Sequence, residues 1–255
     1  MVRRPDRLLN KRSVSPTIIV AASIVSFGMI VLYFFGRSYW YPIYMKVAGK
    51  RTVAEVIADV GVDARGRMSA AFAESAISYP PERVTLLATK DSAKLEVWVD
   101  SDASPQLVMS YDIRALSGKA GPKLREGDGQ VPEGSYRIEA LNPISSFHLS
   151  MKLNFPIAFD LKHAQAEGRM EPGTIIFIHG KALSIGCLAR GDETIEELCV
   201  LTHDVGKENV RVVIAPSDPR SAGLRAVGQP AWVTELYRAI ENEFRRYVSP
   251  HLEVS

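Results

Sequence analysis

Twenty consecutive residues without a charge, Pro16–Phe35 (PTIIVAASIVSFGMIVLYFF), limit the architecture of this chain more than any other feature. At about 1.5 Å of rise per residue, a helix of that length matches the roughly 30 Å hydrocarbon core of a bilayer. A cleaved leader would carry a shorter apolar stretch followed by a small-x-small cleavage site. Here Phe34-Phe35-Gly36-Arg37 and Tyr39-Trp40-Tyr41 follow, a pattern suited to aromatic anchoring at a membrane interface. Arg3, Arg4, Arg7, Lys11 and Arg12 precede the run, with Asp6 the one acid among them. A basic flank of this kind stays on the cytoplasmic side. The expectation is a cytoplasmic basic tail over 1–15 and a single-pass transmembrane helix over 16–36 in the inner membrane. Everything after Arg37 then faces the outer side, which in a Gram-negative cell is the periplasm.

The rest of the chain has the composition of a folded body, with 46% of all residues hydrophobic and 24% charged. It is long enough for one well-cored domain with appendages. The net charge of +2 resides in the tail, and beyond it acids slightly outnumber bases. That balance gives no electrostatic ground for binding nucleic acid. Residues 37–82 read as a membrane-proximal helical segment, because Val53, Val56, Ile57 and Val60 recur at helical spacing and 68–77 is alanine-rich. Tyr79-Pro80-Pro81 closes it. From Arg83 the pattern changes to short apolar runs bounded by turn residues. Strands are predicted over 84–88 and 95–99 around the turn 90–92, then over 107–113, 135–139, 148–153, 174–178 and 210–214. A helix interrupts them over about 192–201. A last amphipathic helix spans about 231–247, with Trp232, Leu236, Ile240 and Phe244 four apart. The predicted class is mainly β with flanking helices (α+β), the strands forming a sandwich or barrel-like sheet. The main domain covers 83–215 and the C-terminal helical segment 216–255.

Chemistry concentrates in Phe177-Ile178-His179-Gly180-Lys181-Ala182-Leu183-Ser184-Ile185-Gly186-Cys187-Leu188. An apolar strand delivers His179 at its end, and a glycine-bounded loop returns the chain at Cys187. A cysteine nucleophile needs a base or a positive field to reach the thiolate, and an imidazole held through its second nitrogen can supply that base. Gly186 permits close approach of the backbone, and amides around Ser184 to Cys187 suit an oxyanion hole. The bland alternative is a buried histidine and a buried thiol with no mutual business. The only other cysteine, Cys199, lies on the face Ile195, Leu198, Cys199, Thr202 of the predicted helix, which makes it a small core residue. A Cys187–Cys199 disulfide is the remaining structural reading. No cofactor and no metal are expected, because no metal-ligand spacing appears.

The run His179-Gly180 … Ser184-x-Gly186-Cys187-Leu188 resembles the signature of YkuD-type L,D-transpeptidase catalytic domains. Two upstream blocks resemble the same domain in the same order: Gly121 to Ile138, through Gly127-Asp128-Gly129-Gln130 and Pro132-Glu133-Gly134, and Asn142-Pro143 … Ser146-Phe147-His148-Leu149-Ser150, which is similar to the YafK-like branch. The resemblance covers about 83–215. It implies Cys187 as the nucleophile on an amide carbonyl of a peptidoglycan stem peptide, His179 as its base, the Gly180 carbonyl as the group orienting the ring, and Ser184 and Gly186 as shapers of the oxyanion site. The YafK-like block places His148 in the substrate cleft, with a half-exposed strand histidine as the alternative reading. From the residues themselves, Lys123 and Arg125 suit a stem-peptide carboxylate, with a solvated turn as the equal alternative, and Arg190 stands next to the place of the family's usual arginine as its substitute in binding substrate. An amine acceptor would make the protein a transpeptidase. Ala189 stands where an arginine is usual, and the link from His179 to Cys187 is short. A YafK-like amidase that frees a lipoprotein or peptide from peptidoglycan is therefore the alternative, with a non-catalytic wall-binding module behind it. Asp128 reads as a turn residue, Asp160 has no assignable role, and His163, His203 and His251 read as surface histidines.

Overall fold

The structure is a computed structural model, and it describes residues 23–28, 32, 36, 51–101, 104–113, 115–145, 148–180, 188–189 and 191–248. Most of the apolar run lies outside these residues, with 23–28 helical. Among the described residues no helix is long and apolar enough to cross a membrane. Residues 51–255 form one compact unit, so the helical segment before Arg83 belongs with the strands that follow it.

Helix α1 (Val53–Glu74) begins at a capping box in which the Thr52 hydroxyl accepts from Glu55 N and the Glu55 carboxylate accepts from Thr52 N. The strands are β1 (Val84–Thr89), β2 (Lys94–Val99), β3 (Gln106–Asp112), β4 (Ala115–Leu116), β5 (Gly134–Ser145), β6 (His148–Leu153), β7 (Phe177–His179), β8 (Leu188–Ala189) and β9 (Val210–Ala215). Helices α2 (Ala158–Ala166), α3 (Asp192–Val205) and α4 (Val233–Phe244) complete the body. The strands make one half-barrel sheet in the order β3-β2-β1-β9-β5-β6-β7-β8-β4. Pairing is antiparallel except between β1 and β9 and between β7 and β8.

Strand β5 joins the two halves. Gly134 to Arg137 pair with β9, and Ile138 to Ser145 pair with β6 through two register shifts. The strand can enter the sheet only through glycine, because Gly134 has φ +141° and a Cβ there would sit 3.1 Å from the Tyr136 hydroxyl. Every residue of β1 is buried. Such a strand needs cover on both faces, and α1 and α3 cover one while α4 covers the other. Val84, Leu86 and Ala88 point with Val210, Val212 and Ile214 into the larger core, beside Val56, Met68 and Phe72 of α1 and Ile195, Leu198 and Leu201 of α3. Leu87, Trp98 and Val213 face Val233, Leu236, Tyr237, Ile240 and Phe244 of α4.

The strand and helix expectations agree with this architecture for most elements. Helix α2 was not anticipated, since Ala164 is its one buried residue and it shows no apolar stripe. His163, expected at the surface, is instead half-buried, stacked on Trp232 (centroids 4.7 Å apart, planes at 14°) and edge-on to Phe159 at 4.5 Å. His203 is exposed, and His251 lies outside the described residues.

Helix α1 is fastened to α3 by charge as well as by apolar packing. Arg65 Nε and Nη2 each donate to Asp204 at 2.7 Å, and Tyr79 Oη donates to the same carboxylate at 2.7 Å. Partial burial works against the carboxylate, but these donors outweigh it and pull Asp204 down to about 2. A carboxyl depressed in the fold contributes stability that is present above its unfolded pKa and is lost as pH falls through the folded one. The stability gap between wild type and Asp204→Asn, measured by urea denaturation, should therefore be widest above about pH 4 and close as pH falls towards 2. A gap independent of pH over that range would remove the ion pair from this account.

Candidate active site

His179 is the last residue of β7, opposite Ser150 of β6, and the ladder continues past it through Gly180 N donating to Leu149 O at 3.2 Å. The ring is 3% exposed, with Nδ1 2.6 Å from the Gly180 carbonyl oxygen. A carbonyl can only accept, so Nδ1 carries the proton and Nε2 presents the lone pair. Burial pulls the His179 pKa below its usual value, against the opposing pull of that hydrogen bond. The local geometry is thus that of an oriented, neutral imidazole.

Strand β8 returns beside β7 in parallel, pairing Leu188 with Ile178 and Ala189 with His179. Adjacent parallel strands normally need a long crossover, and here only residues 180–187 lie between them. Cys187, Ser184, Gly186 and Arg190 lie outside the described residues, as does Lys181. Cys199 is a free thiol, 4% exposed in the core of α3. Burial pushes its pKa up, and the Glu196 charge adds to the effect.

His148 opens β6 in the left-handed region, at φ +75°, which is uncommon for a residue other than glycine. Its Nε2 is 2.8 Å from Glu196 Oε1 on α3. Glu196 in turn accepts from Arg67 Nη2 at 2.8 Å, and Arg67 Nε donates to Glu197 at 2.7 Å. Tyr111 of β3 also donates to Glu197, at 2.7 Å. One guanidinium of α1 therefore spans two carboxylates of α3, one of which holds the histidine that begins β6. Sequence reasoning missed Glu196 because it reads as an ordinary acid near a helix N-terminus. It missed Ser150 too, whose buried hydroxyl has no hydrogen-bond partner among the described residues and shares a cross-strand position with His179.

The basic residues expected to hold a carboxylate are arranged differently from one another. Lys123 is buried, and its ammonium donates to Asp128 at 2.7 Å and to the Arg125 carbonyl at 3.0 Å, so its charge is spent inside the turn. Arg125 is exposed. Asp128 organises that turn by also accepting from Leu124 N, Arg125 N and Gln130 N. Burial opposes its charge, but Lys123 and these amides hold the carboxyl below the usual range. Among the described residues no group of three or more His, Cys, Asp and Glu side chains is placed to hold a metal ion.

No protein-family model matches the chain. The "Putative L,D-transpeptidase YafK" of Escherichia coli K12 is 32% identical over 141 residues, which are 53% of this chain and 55% of the relative. The protein of the same name from Escherichia coli O157:H7 aligns equally. The chain is thus a YafK homologue over about half its length, and the match spans about half the length of these relatives. Two solved structures are similar in part. One is the helical cell shape determining protein Pgp2 (K307A mutant) of Campylobacter jejuni, at 21% identity and TM-score 0.44, covering 55% of this chain and 49% of that one. The other is Bd1075 of Bdellovibrio bacteriovorus, at 18% identity and TM-score 0.41, covering 66% and 56%.

The α1 clamp has a measurable consequence. Arg67→Ala leaves two partly buried carboxylates without their shared partner and should cost about 1–3 kcal/mol, read from the urea midpoint at unchanged slope. Arg67→Lys should recover only part of the loss, since an ammonium lacks the planar fork. An unchanged midpoint in the alanine variant would mean that the clamp is ornamental.

Proposed function

We propose that this chain, a homologue of YafK, is a peptidoglycan-modifying acyl-transfer enzyme with Cys187 as nucleophile and His179 as base. The observation that carries the reading is the parallel pairing of β7 with β8, which sets Leu188, the residue after Cys187, beside Ile178, the residue before His179. His179 would take the thiol proton at Nε2 while Nδ1–H stays on the Gly180 carbonyl. The thiolate would attack an amide carbonyl of a stem peptide, with amides around Ser184 and Gly186 stabilising the oxyanion. As the tetrahedral adduct collapses, the C–N bond breaks, the leaving amine takes the proton from His179, and a thioester remains. Attack on that thioester by a second amine gives transpeptidation, and attack by water gives hydrolysis. His148, tethered by Glu196, and the exposed Arg125, with Arg190, are the candidates for contact with the peptide; the geometry leaves Lys123 to its turn. We further assign the apolar run and basic tail to a single inner-membrane span, with the body in the periplasm.

The hydrolytic reading has one specific feature in its favour: Ala189 of β8, opposite His179, stands where the resembling domains usually carry an arginine. An amidase acting on diaminopimelate-linked protein or peptide would need no acceptor site. Full-length protein and its Cys187→Ala variant, incubated with purified peptidoglycan and analysed by mass spectrometry of muropeptides, separate these outcomes. New cross-links or exchanged terminal residues that vanish in the variant identify a transpeptidase, and release without new linkage identifies the amidase. Identical products from both proteins would discard the nucleophile and favour the wall-binding module.

The state of His179 sets the pH response. Its burial disfavours the imidazolium, so the competent neutral base persists below the usual imidazole range. The acid limb of kcat/KM should have its midpoint below about 6.5. A midpoint clearly above that value would contradict the role given to this buried ring.

A further inference from the structure

Alternate residues of β6 and β7 serve opposite faces of the sheet. Leu149, Met151, Leu153, Ile176 and Ile178 point into the larger core, so Ser150, Lys152, Phe177 and His179 point away from it. The same alternation holds on β5 and β9. Tyr136, Ile138, Val210 and Val212 are core residues, which turns Arg137, Glu139 and Arg211 outward. Helix α4 covers this outward face over β1, β2 and β9. Over β5, β6 and β7 the same face carries the candidate base and a set of charged side chains.

Register gives their spacing. Ser150 stands opposite His179 and Lys152 opposite Phe177, so Lys152 is the diagonal neighbour of His179. Such neighbours are about 7–8 Å apart, within reach of a long side chain. Arg137 lies one step further. Its N–H donates to Asn154 Oδ1 at 2.8 Å and its carbonyl accepts from Asn154 N at 3.1 Å, which sets it beside the residue two beyond Lys152. From His179 to Arg137 this track runs on the order of 14 Å along the strands, the span of about four extended residues. Phe177, half-buried, and Ile175, 56% exposed, line it with apolar surface.

The charges on the track are poorly balanced. Lys152 Nζ is 2.9 Å from Glu139 Oε2, but the two side chains are 32% and 52% exposed, and exposed pairs of this kind are weak. Arg137 is exposed, and among the described residues no carboxylate pairs with its guanidinium. It stands directly opposite Arg211 across β5 and β9, a placement of like charges that works against the sheet. Glu243 holds Arg211 at 2.6 Å and lies 3.6 Å from Arg246, so it is already shared between two guanidiniums. We infer that Lys152 and Arg137 bind carboxylates of the peptide on which the acyl transfer acts, the peptide lying extended from His179 towards Asn154. The inference rests on the proposed function. Two cations one strand period apart suit a peptide with carboxylates on successive units, and the planar fork of arginine matches a carboxylate. Lys123 is held by Asp128 inside its own turn, and Ala189, beside His179 on β8, brings no cation, so the task is open to these two residues. The apolar surface of Phe177 and Ile175 favours a ligand with aliphatic groups over a bare inorganic anion.

Calorimetric titration of the full-length Cys187→Ala protein, in which the proposed turnover is blocked, tests the assignment. The probes are a synthetic stem tetrapeptide and the same peptide with its carboxylates amidated. The free acid should bind at least about tenfold more tightly than the amide, as one charge-assisted hydrogen bond implies. Added to that background, Lys152→Ala and Arg137→Ala should each weaken binding of the acid by about tenfold and leave the amide unchanged. Lys152→Arg should keep most of the affinity, and Glu139→Gln should raise it by freeing the ammonium. Equal losses for acid and amide, or no preference for the acid, would overturn the inference and leave the acyl-transfer reading in place. Binding of neither peptide would overturn it too, and would take that reading with it only if Cys187→Ala also leaves the peptidoglycan products unchanged.

Discussion

Strand β5 has to satisfy two ladders with one backbone. Its first four residues complete the half-sheet of β1, β2, β3 and β9, and the remainder carries β6, β7 and β8. A straight strand would present one pair of neighbours along its whole length. The register shifts between Ile138 and Ala140 and between Asn142 and Ser145 let the strand change direction between them, as bulges do. Without that change the larger core would not close, because it is filled from both halves at once, by Leu86 and Val212 on one side and Met151 and Ile178 on the other. The position of His179 follows from it, through β6 to β7.

The clamp between α1 and α3 acts on the same half of the sheet from outside. Packing of Val56, Met68 and Phe72 against Ile195 and Leu198 fixes how far apart the helices lie, but apolar contact is tolerant of sliding. The forks of Arg65 to Asp204 and of Arg67 to Glu196 and Glu197 are directional, and they fix the helices along their length. Glu196 then passes that registration to His148, whose left-handed backbone is held in a conformation that needs support. The segment before Arg83 thereby contributes to the placement of His148 as well as to the core.

Much of this was legible in the sequence. The short apolar runs of β1, β2 and β9, bounded by turn residues, and the four-residue spacing of α4 are read directly, because burial in sheet and helix leaves those patterns in the chain. His179 at the end of a strand was legible for the same reason, and the Gly180 carbonyl against its ring was anticipated from the family resemblance. The less legible parts share a physical cause, which is that they depend on partners distant in sequence. Lys123 looks like a solvent-facing ligand until Asp128 folds back on it. Glu196 looks like a dipole-favoured acid until Arg67, on another helix, takes hold of it. His163 looks exposed until Trp232 of the C-terminal segment stacks on its ring. Helix α2 has no apolar stripe to announce it, and it rests on the Asp160 carboxylate accepting Ile157 N at its start.

Burial treats the two ionisable partners of thiol chemistry in opposite ways, and that bears on where such chemistry can happen in this chain. For an imidazole, removal from water favours the neutral ring, which is the form able to accept a proton, so the 3% exposure of His179 serves a base. For a thiol, removal from water favours the protonated form, which is the inert one, and a neighbouring carboxylate deepens the effect. Cys199 suffers both, from the core around α3 and from Glu196. The sequence contains two cysteines. The proposed thiol chemistry thus rests on Cys187, which precedes the strand that returns alongside the buried imidazole of His179.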